Sequence, residues 1–417
     1  MNGRVVLVCL DWLRPKDPRV SLGHASLYAA LASVPGIEIV AVASAVNAPG
    51  FHRRALLADI MRAATVGSDI AIGVYVWNEP VVQWLLPALR QAGFAGRIIL
   101  GGPQITYAPA GVLDVYPHAD MIIRGYAEEA LAAVVARPEV LALKGVTRRG
   151  LPDSTDPATT DLLALPSPIL AGIAPIQSFM RWETQRGCIY ACSFCQHRES
   201  GVRLRQRVFA GERVAAEIDV LVQGGARDIA VLDPIFHNNP AALDILGRFV
   251  ARGYSGRLSL QSRFESIDDA FLDACSELQV RLEFGLQTVQ RSEMVAVHRM
   301  NDLATVDAVI TKLRARAIPF EVSLIYGLPT QTLASFAESV RWCQDRGVSP
   351  VRAFPLMLLR GTGLDRDRHR WALVESADPI PVVVGSDTFS RVEWEQMRAI
   401  ADRLDEDGQI APARGAA

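Results

Sequence analysis

Short runs of consecutive apolar residues recur along the chain, separated by stretches of helical period, and this rhythm restricts the fold more than any other feature. In the first third the runs fall at 4–9, 37–44, 69–75, 97–100 and 121–123, with helical patterns near 24–34, 51–65, 80–93 and 126–136. A strand that is apolar at every position is covered on both faces, which is the condition of a parallel sheet with helices on both sides. The expectation is an α/β chain opening with a doubly wound, Rossmann-like domain over residues 1–140. In such sheets ligands sit beyond the carboxyl ends of the strands.

The loops after these runs are unusual in content. Trp12 and Leu13 follow the first, Asn47 the second, and Val76, Trp77 and Asn78 follow Tyr75 after the third. Gly101, Gly102, Pro103 and Gln104 follow the fourth, and Gly125 the fifth. Aromatic and amide side chains therefore fall at strand tips, where a ligand would lie. The glycine pair permits close approach of backbone to a bulky ligand, although a tight turn is an equally good reading of it. No Gly-x-Gly-x-x-Gly fingerprint follows the first strand, which argues against a nicotinamide or flavin dinucleotide.

At 417 residues the chain is too long for one ordinary core, and a second alternating region is present. Residues 141–178 are rich in proline and small residues and read as a linker over the surface. Strand candidates then fall at 179–184, 228–232, 258–261, 281–285, 321–326 and 351–356, with helical patterns near 207–223, 240–252, 267–276, 301–316 and 331–346. Six βα units predict a partial (β/α)6 barrel over residues 179–364 with its chemistry at the strand ends. Residues 365–417 read as a cap or tail, frayed from 408. Trp371 and Trp394 are substrate contacts or packing residues there.

Composition narrows the partners. Half the residues are apolar and 21% are charged, the balance of a globular protein. With 43 basic and 45 acidic side chains there is no surplus to neutralise nucleic-acid phosphates. Arg203, Arg205 and Arg207 read as a solvated face or a small-anion contact. The first apolar run stops at Asp11, too short for a secretory signal, and no stretch is long enough to span a bilayer. The expectation is a cytoplasmic monomer with no nucleic-acid or membrane partner.

Three of the six cysteines crowd into Cys188-x3-Cys192-x2-Cys195, directly after the first strand of the second region. Cys9, Cys275 and Cys343 are scattered in apolar segments, so there is no disulfide framework. Thiolates are soft ligands suited to iron–sulfur clusters and zinc. Three of them can hold three corners of a cubane and leave one iron open to a chelating molecule. A structural zinc would need a fourth ligand, and His197 follows Cys195 at less than the usual three-to-five-residue spacing. A nucleophilic role needs one cysteine, not three.

With Phe194 before the last cysteine and Arg186-Gly187 ahead of the first, this motif resembles the signature of radical SAM enzymes. The layout as a whole resembles the cobalamin-dependent radical SAM family over about residues 4–360. The supporting segments, in order, are Leu22-Gly23-His24, Tyr75-Val76-Trp77-Asn78, Gly101-Gly102-Pro103 and Gly125-Tyr126-Ala127-Glu128-Glu129. They continue with Asp233-Pro234-Ile235-Phe236, Glu283-Phe284-Gly285-Leu286-Gln287 and Tyr326-Gly327-Leu328-Pro329-Thr330.

The resemblance implies a cobalamin-binding first domain, a [4Fe-4S] cluster on Cys188, Cys192 and Cys195, and S-adenosylmethionine on the open iron. It places the corrin against Trp12, Leu13, His24, Asn47, the loop from Tyr75 to Asn78, Gly101 to Gln104, Gly125 and Glu128. The Asp-x-His-x-x-Gly motif is missing, so cobalt would lack a histidine ligand and its lower face would meet Tyr75 to Asn78. Around S-adenosylmethionine it places Phe194, Asp233, Gln261, Gln287 and Gly327, with Glu283 and Tyr326 as catalytic residues. Plainer readings stand beside these: His24 as a helix-start residue, Trp77 as a core aromatic, Asp233 and Asn238 as turn residues, and Glu283 as the partner of Arg263 or Arg281.

The implied reaction moves a methyl group from S-adenosylmethionine, via methylcobalamin, to a carbon of a small molecule, with an external electron donor. The segment from Arg186 to Arg198 is similar to a subgroup that methylates the indole of tryptophan, where a carboxylate can sit on the fourth iron; Glu283 is the candidate. Two other classes stay open: a cobalamin-dependent oxidase, cyclase or rearrangement enzyme without methyl transfer, and a non-catalytic cobalamin or metal sensor. Nothing after residue 365 resembles a peptide-recognition domain, which favours a small-molecule substrate.

Overall fold

The computed structural model describes residues 3–14, 16–137, 139, 142–197 and 206–410, with side chains as far as Leu404. Arg198, Arg203, Arg205 and residues 411–417, singled out above, lie outside the described residues. The chain divides into two compact units, the first within Met1–Gln177 and the second from Ser178 onward.

The first unit runs β1 (Gly3–Asp11), α1 (Leu22–Ala32), β2 (Ile37–Ala45), α2 (Arg53–Ala63), β3 (Asp69–Gly73), α3 (Glu79–Gln91) and β4 (Ile98–Gly101). It continues with α4 (Pro103–Thr106), α5 (Val112–Val115), β5 (Met121–Ile123), α6 (Glu128–Ala136) and β6 (Val146–Arg148). The sheet order is β2-β1-β3-β4-β5-β6, parallel except for β6, which runs antiparallel to β5. The apolar run from Val5 to Leu10 within β1 explains the architecture. Val6, Val8 and Leu10 pack with Leu56 and Ile60 of α2 and Leu85 and Leu86 of α3. Val5 and Leu7 point the other way, toward Leu31 of α1 and Leu131 and Val134 of α6. Every residue from Val5 to Leu10 is at most 7% exposed, and burial of each large aliphatic contributes about 1.5–3 kcal/mol. Because β2 lies on one side of β1 and the later strands on the other, the connection reverses between β1 and β3. The crevice beyond their carboxyl ends is the topological switch point, where open α/β sheets bind ligands.

The stretch 141–178, expected as a linker, supplies the sixth strand of this sheet. Ala158 bridges to Gly125, and Arg124, fully buried, donates to the carbonyls of Ile105, Ala108 and Pro109 and to Asp153. A three-residue strand is too short to show a period, which is why proline content alone suggested a linker.

The second unit opens with β7 (Phe179–Trp182), then a short antiparallel pair, β8 (Gln185–Arg186) and β9 (Arg207–Val208). It continues with α7 (Gly211–Gln223), β10 (Asp228–Val231), α8 (Ala242–Ala251), β11 (Arg257–Ser262), α9 (Asp269–Ser276) and β12 (Gln279–Gln287). Next come α10 (Arg291–Ala296), α11 (Leu303–Ala315), β13 (Phe320–Tyr326), α12 (Leu333–Asp345) and β14 (Val351–Pro355). The large sheet has the sequential order β14-β13-β12-β11-β10-β7, all parallel, which is the arrangement of a partial (β/α)6 barrel.

Alternation sorts its two faces. On β12, Val280, Leu282, Phe284 and Leu286 are buried, while Arg281, Glu283, Gly285 and Gln287 occupy the opposite, lumen face. A full barrel fills its lumen with branched apolar side chains. Here the lumen face carries charge instead: Glu321 pairs with Arg352 at 3.3 Å and Arg281 at 3.8 Å, and Arg257 pairs with Asp228.

The tail contains α13 (Gly363–Arg366), β15 (Val374–Glu375), β16 (Val383–Gly385) and α14 (Arg391–Ile410). Residues 408–410, expected to fray, belong to α14. This helix lies along β14 and α12, with Trp394 and Met397 buried. Among the described residues no helix is long and apolar enough to cross a membrane.

Candidate cluster site and ligand crevice

In the second unit the cysteine loop is bonded from three sides. At its start the fully buried Asp233, just past β10, accepts the backbone N–H of Thr184 at 2.7 Å and of Gln185 at 3.2 Å, and also the Thr184 hydroxyl. Asn239 donates to the Thr184 hydroxyl at 2.8 Å, and the Gln185 amide donates to the Ile235 carbonyl at 2.8 Å. At its middle, Ser193 N–H donates to the Val297 carbonyl at 3.0 Å, and Leu364 N–H donates to the Ser193 carbonyl at 2.8 Å. Near its end, the Gln196 side chain donates to the Arg360 carbonyl at 2.8 Å.

Each cysteine sulfur receives an N–H. Tyr190 N–H points to Cys188 Sγ at 3.5 Å, His197 N–H to Cys195 Sγ at 3.4 Å, and Arg299 Nη1 to Cys192 Sγ at 3.6 Å. Donors of this kind favour thiolate over thiol. Without metal, burial opposes them, pushing Cys195 up to about 11 and raising Cys188 as well. Metal binding would release the thiol protons, so acid weakens it. Among the described residues no three His, Cys, Asp or Glu side chains converge on a point that one ion could occupy. A cubane asks something else, one thiolate at each of three corners. The three N–H-capped sulfurs on one loop fit that donor set. His197, weighed as a zinc ligand, is an exposed residue.

Two arginines stand beside this loop: Arg263, weighed in the sequence only as a partner of Glu283, and Arg299, which the sequence reading missed. Arg263 lies 3.9 Å over the Tyr190 ring and pairs with Glu265 at 3.1 Å. Arg299 is 9% exposed and donates through Nη2 to the Gly285 carbonyl. Burial first, then the like charge of Arg263, lowers its proton affinity, yet a guanidinium starts high enough to stay cationic. The segment from Val297 to Asn301 has no periodicity to draw attention to Arg299.

The other barrel residues divide. Gln261, Glu283 and Glu321 are register neighbours across β11, β12 and β13. Glu283 was expected at a strand end; it is the fifth of nine residues in β12 and lies inside the lumen face. Of the arginines weighed as its partner, Arg281 lies 3.8 Å from Glu321 and Arg263 3.1 Å from Glu265. Gln287 ends β12 at a register shift with φ of 70°, a left-handed conformation for a non-glycine residue. Gly327, φ 91°, donates its N–H to the Gln331 side chain at 2.7 Å.

Tyr326 differs from the catalytic expectation. Its ring is 4% exposed and packs 5.7 Å from both Phe336 and Trp394, on the helix side of the sheet. The alternation of β13 turns it away from the lumen. Trp394, weighed as a substrate contact, is the packing partner in this pair. Phe194 is half-buried within the cysteine loop, and Asp233 is enclosed by its loop contacts.

In the first unit the switch-point crevice is edged by aromatic and aliphatic groups. Trp12 and Leu13, at the tip of β1, are 40% and 39% exposed. Tyr75 and Trp77, after β3, stack with ring centroids 4.5 Å apart, and Trp77 Nε1 donates to the Leu10 carbonyl at 3.0 Å. Val76 lies between them, half-buried. Burial pushes the Tyr75 phenol up to about 12 and lowers His24, in the first turn of α1, below its usual range.

The amides at these strand tips are bonded to other groups of the protein. Asn47 bonds both the N–H and the carbonyl of Leu13, at 2.9 and 2.7 Å. Asn78, fully buried, accepts Tyr75 N–H at 2.8 Å and donates to the Leu10 and Gly73 carbonyls at 3.0 Å. Gln104 donates to Glu79 at 2.6 Å, and Glu128 accepts from Ser26 at 3.0 Å and Thr160 at 3.2 Å. The glycines also serve the fold. A Cβ on Gly102 would sit 2.7 Å from the Val74 carbonyl, and one on Gly125 2.4 Å from that of Ala158. Pro103 opens α4, where its missing N–H costs nothing. Gly101 has ordinary room on its Cβ side.

Comparison with known proteins adds the following. Residues 182–343 match the model of the Radical SAM superfamily. The chain is similar to the cobalamin-dependent radical SAM methyltransferase TokK of Streptomyces tokunonensis, 26% identical over 65% of this chain and 44% of that protein. It is similar also to the 2-(S-pantetheinyl)-carbapenam-3-carboxylate methyltransferase of Streptantibioticus cattleyicolor, 23% identical over 80% of this chain and 56% of that one. The chain thus spans about half the length of these curated relatives. In fold it resembles the radical S-adenosylmethionine methyltransferase TsrM of Kitasatospora setae, solved with tryptophan and aza-SAM bound. That likeness has a TM-score of 0.72 at 14% identity and covers 96% of this chain and 89% of that one.

Proposed function

We propose, from its membership of the cobalamin-dependent radical SAM family, that this chain is a C-methyltransferase acting on a small molecule with a [4Fe-4S] cluster, S-adenosylmethionine and cobalamin. The observation that carries this reading is the cysteine loop, whose three sulfurs each receive an N–H donor. When bound, the cofactors supply the one-electron and methyl-transfer chemistry, and the protein positions them and excludes water.

The proposed division of labour follows the two units. In the second, Cys188, Cys192 and Cys195 hold the cluster, and S-adenosylmethionine lies over the lumen face near Gln261, Gln287 and Gly327. Glu283 is the proposed carboxylate for the fourth iron. It shares the lumen face of β12 with Gly285, whose carbonyl takes Arg299, and at roughly 3.3 Å per residue lies about 7 Å deeper along the strand. In the first, the corrin lies at the switch point, against Trp12, Leu13, Tyr75, Val76 and Trp77. Asn47 and Asn78 act behind them by fixing the loops. An external low-potential donor completes the set.

The substrate class is proposed from two similar proteins. One relative methylates a carbapenam carboxylate, and TsrM is solved with tryptophan. Both are small carboxylates, so a small carboxylate-bearing molecule is proposed, with indoles such as tryptophan to be tried first. The test is an anaerobic reaction of the reconstituted chain with cobalamin, reductant, methyl-labelled S-adenosylmethionine and a panel of indole and carbapenam carboxylates. Mass spectrometry is expected to find one labelled, methylated product. A rearranged or oxidised product without label would replace methyl transfer by the oxidase or cyclase class.

A further inference from the structure

We infer that Arg299 sets the reduction potential of the cluster by holding a buried positive charge and an N–H donor against Cys192. The inference rests on the cluster reading above.

The geometry begins with a glycine. A Cβ on Gly285 would lie 2.5 Å from Gln287 Nε2 and 3.4 Å from Arg299 Nη2. The bare Cα leaves room for the Gln287 amide, and the Arg299 guanidinium sits at contact distance beside it. There Nη2 grips the Gly285 carbonyl, and Nη1 is left pointing at Cys192 Sγ, 3.6 Å away. The turn that carries Arg299 is fixed to the same loop by a second bond, from Ser193 N–H to the Val297 carbonyl at 3.0 Å. It is fixed to the barrel by Asn301, which donates to the Leu286 carbonyl at 2.7 Å. His298 takes a left-handed φ of 51° to make this turn. Cation and sulfur are therefore held by shared backbone bonds, not by a flexible surface arm.

Among the described residues, the ion pairs near this loop belong to other arginines: Arg263 to Glu265, and Arg186 to Glu183. Among the described residues no carboxylate forms an ion pair with Arg299, Glu265 acting on it only from further off, and its Nε is buried without a partner. A cation so placed acts on whatever negative charge its neighbour carries, and burial strengthens that action. A cubane held by thiolates is anionic and gains one further negative charge when it accepts an electron. Hydrogen bonds to the sulfurs and local charge are among the factors that set its potential. Arg299 therefore stabilises the reduced cluster and makes it easier to fill from an outside donor. The step is one electron to the oxidised cluster from the sulfur dioxide radical anion that dithionite releases, with no bond made or broken at the cluster.

The test uses the full chain with reconstituted cluster and no S-adenosylmethionine, in wild-type, Arg299→Met and Arg299→Lys forms. Iron and sulfide per chain report whether a cluster is present. A mediated dithionite titration followed by electron paramagnetic resonance reports its midpoint. Arg299→Met is expected to hold the cluster and to lower its reduction equilibrium at least tenfold, a negative shift of about 59 mV for one electron. Arg299→Lys, which keeps charge but loses the fork, is expected to shift less in the same direction. A fully loaded Arg299→Met with an unchanged midpoint overturns the inference while leaving the cluster reading intact. If Arg299→Met fails to assemble a cluster, the lysine variant decides, and an unshifted midpoint there overturns it. A wild-type chain that takes up no iron and sulfide contradicts the cluster reading and this inference with it.

Discussion

Asp233 accepts the backbone N–H of Thr184 at 2.7 Å, four residues before the first cysteine of the cluster loop. The same oxygen takes Gln185 N–H at 3.2 Å, and the other takes the Thr184 hydroxyl. A fully buried side chain from the end of β10 thus fixes the direction in which the chain leaves β7 toward Cys188. Asp233→Ala orphans two amide donors in a dry site, at about 1–3 kcal/mol for each. Denaturant unfolding should report that loss, and iron per chain after reconstitution should fall. Asp233→Asn keeps an accepting oxygen and should retain most of both. Equal behaviour of the two variants would remove the brace.

The same residue gives a pH dependence. Burial, outweighing the hydrogen bonds from Thr184 and Gln185, raises the Asp233 carboxyl to about 7. A carboxyl raised on folding holds its proton more tightly in the native state than in the unfolded chain. Its contribution to stability is therefore full below the ordinary carboxylate range and is lost as pH rises toward about 7. Unfolding of the metal-free chain between pH 4 and 8 should lose stability with rising pH more steeply in wild type than in Asp233→Asn. Parallel curves would contradict this.

In the first unit, ligand contacts and fold contacts separate by exposure. Trp12 is 40% exposed, so Trp12→Ala should leave stability within about 0.5 kcal/mol. Asn78 is fully buried with three backbone bonds. Asn78→Ala should cost about 1–3 kcal/mol for each group left unpaired. Cobalamin retention, read from its visible spectrum after gel filtration, should fall in both. A Trp12→Ala chain that retains cobalamin fully would move the corrin away from the tip of β1.

Much of the scaffold was legible because it depends on periodicity. Uninterrupted apolar runs such as that from Val5 to Leu10 of β1 announce a sheet covered twice, and the alternation of the second region announces six parallel strands. The cysteine loop was legible because spacing alone defines a chelate. What was not legible depends on direction rather than pattern. Tyr326 stands at a strand end but its parity turns the ring to the helices, and Asn78 stands at a strand tip but spends its amide on Leu10 and Gly73. Gly102 and Gly125 make room for neighbouring backbone, a need that no sequence pattern announces. Arg299 meets the loop while holding the Gly285 carbonyl, a tertiary fact with no local signature.

Glu283 is testable by spectroscopy. If its carboxylate occupies the fourth iron, Glu283→Ala should change the spectra of the reconstituted cluster and open the iron to S-adenosylmethionine. Reductive cleavage to 5′-deoxyadenosine should then rise. Identical spectra would leave Glu283 as a charge of the lumen floor beside Glu321.

The most direct measurement needs no knowledge of the substrate. The chain is reconstituted with iron, sulfide and cobalamin, reduced anaerobically, and given methyl-labelled S-adenosylmethionine. Mass spectrometry then follows the label and S-adenosylhomocysteine. A methyltransferase of the proposed kind places the label on cobalamin and releases S-adenosylhomocysteine one for one. Cobalamin that stays unlabelled in a chain carrying both cofactors would contradict methyl transfer.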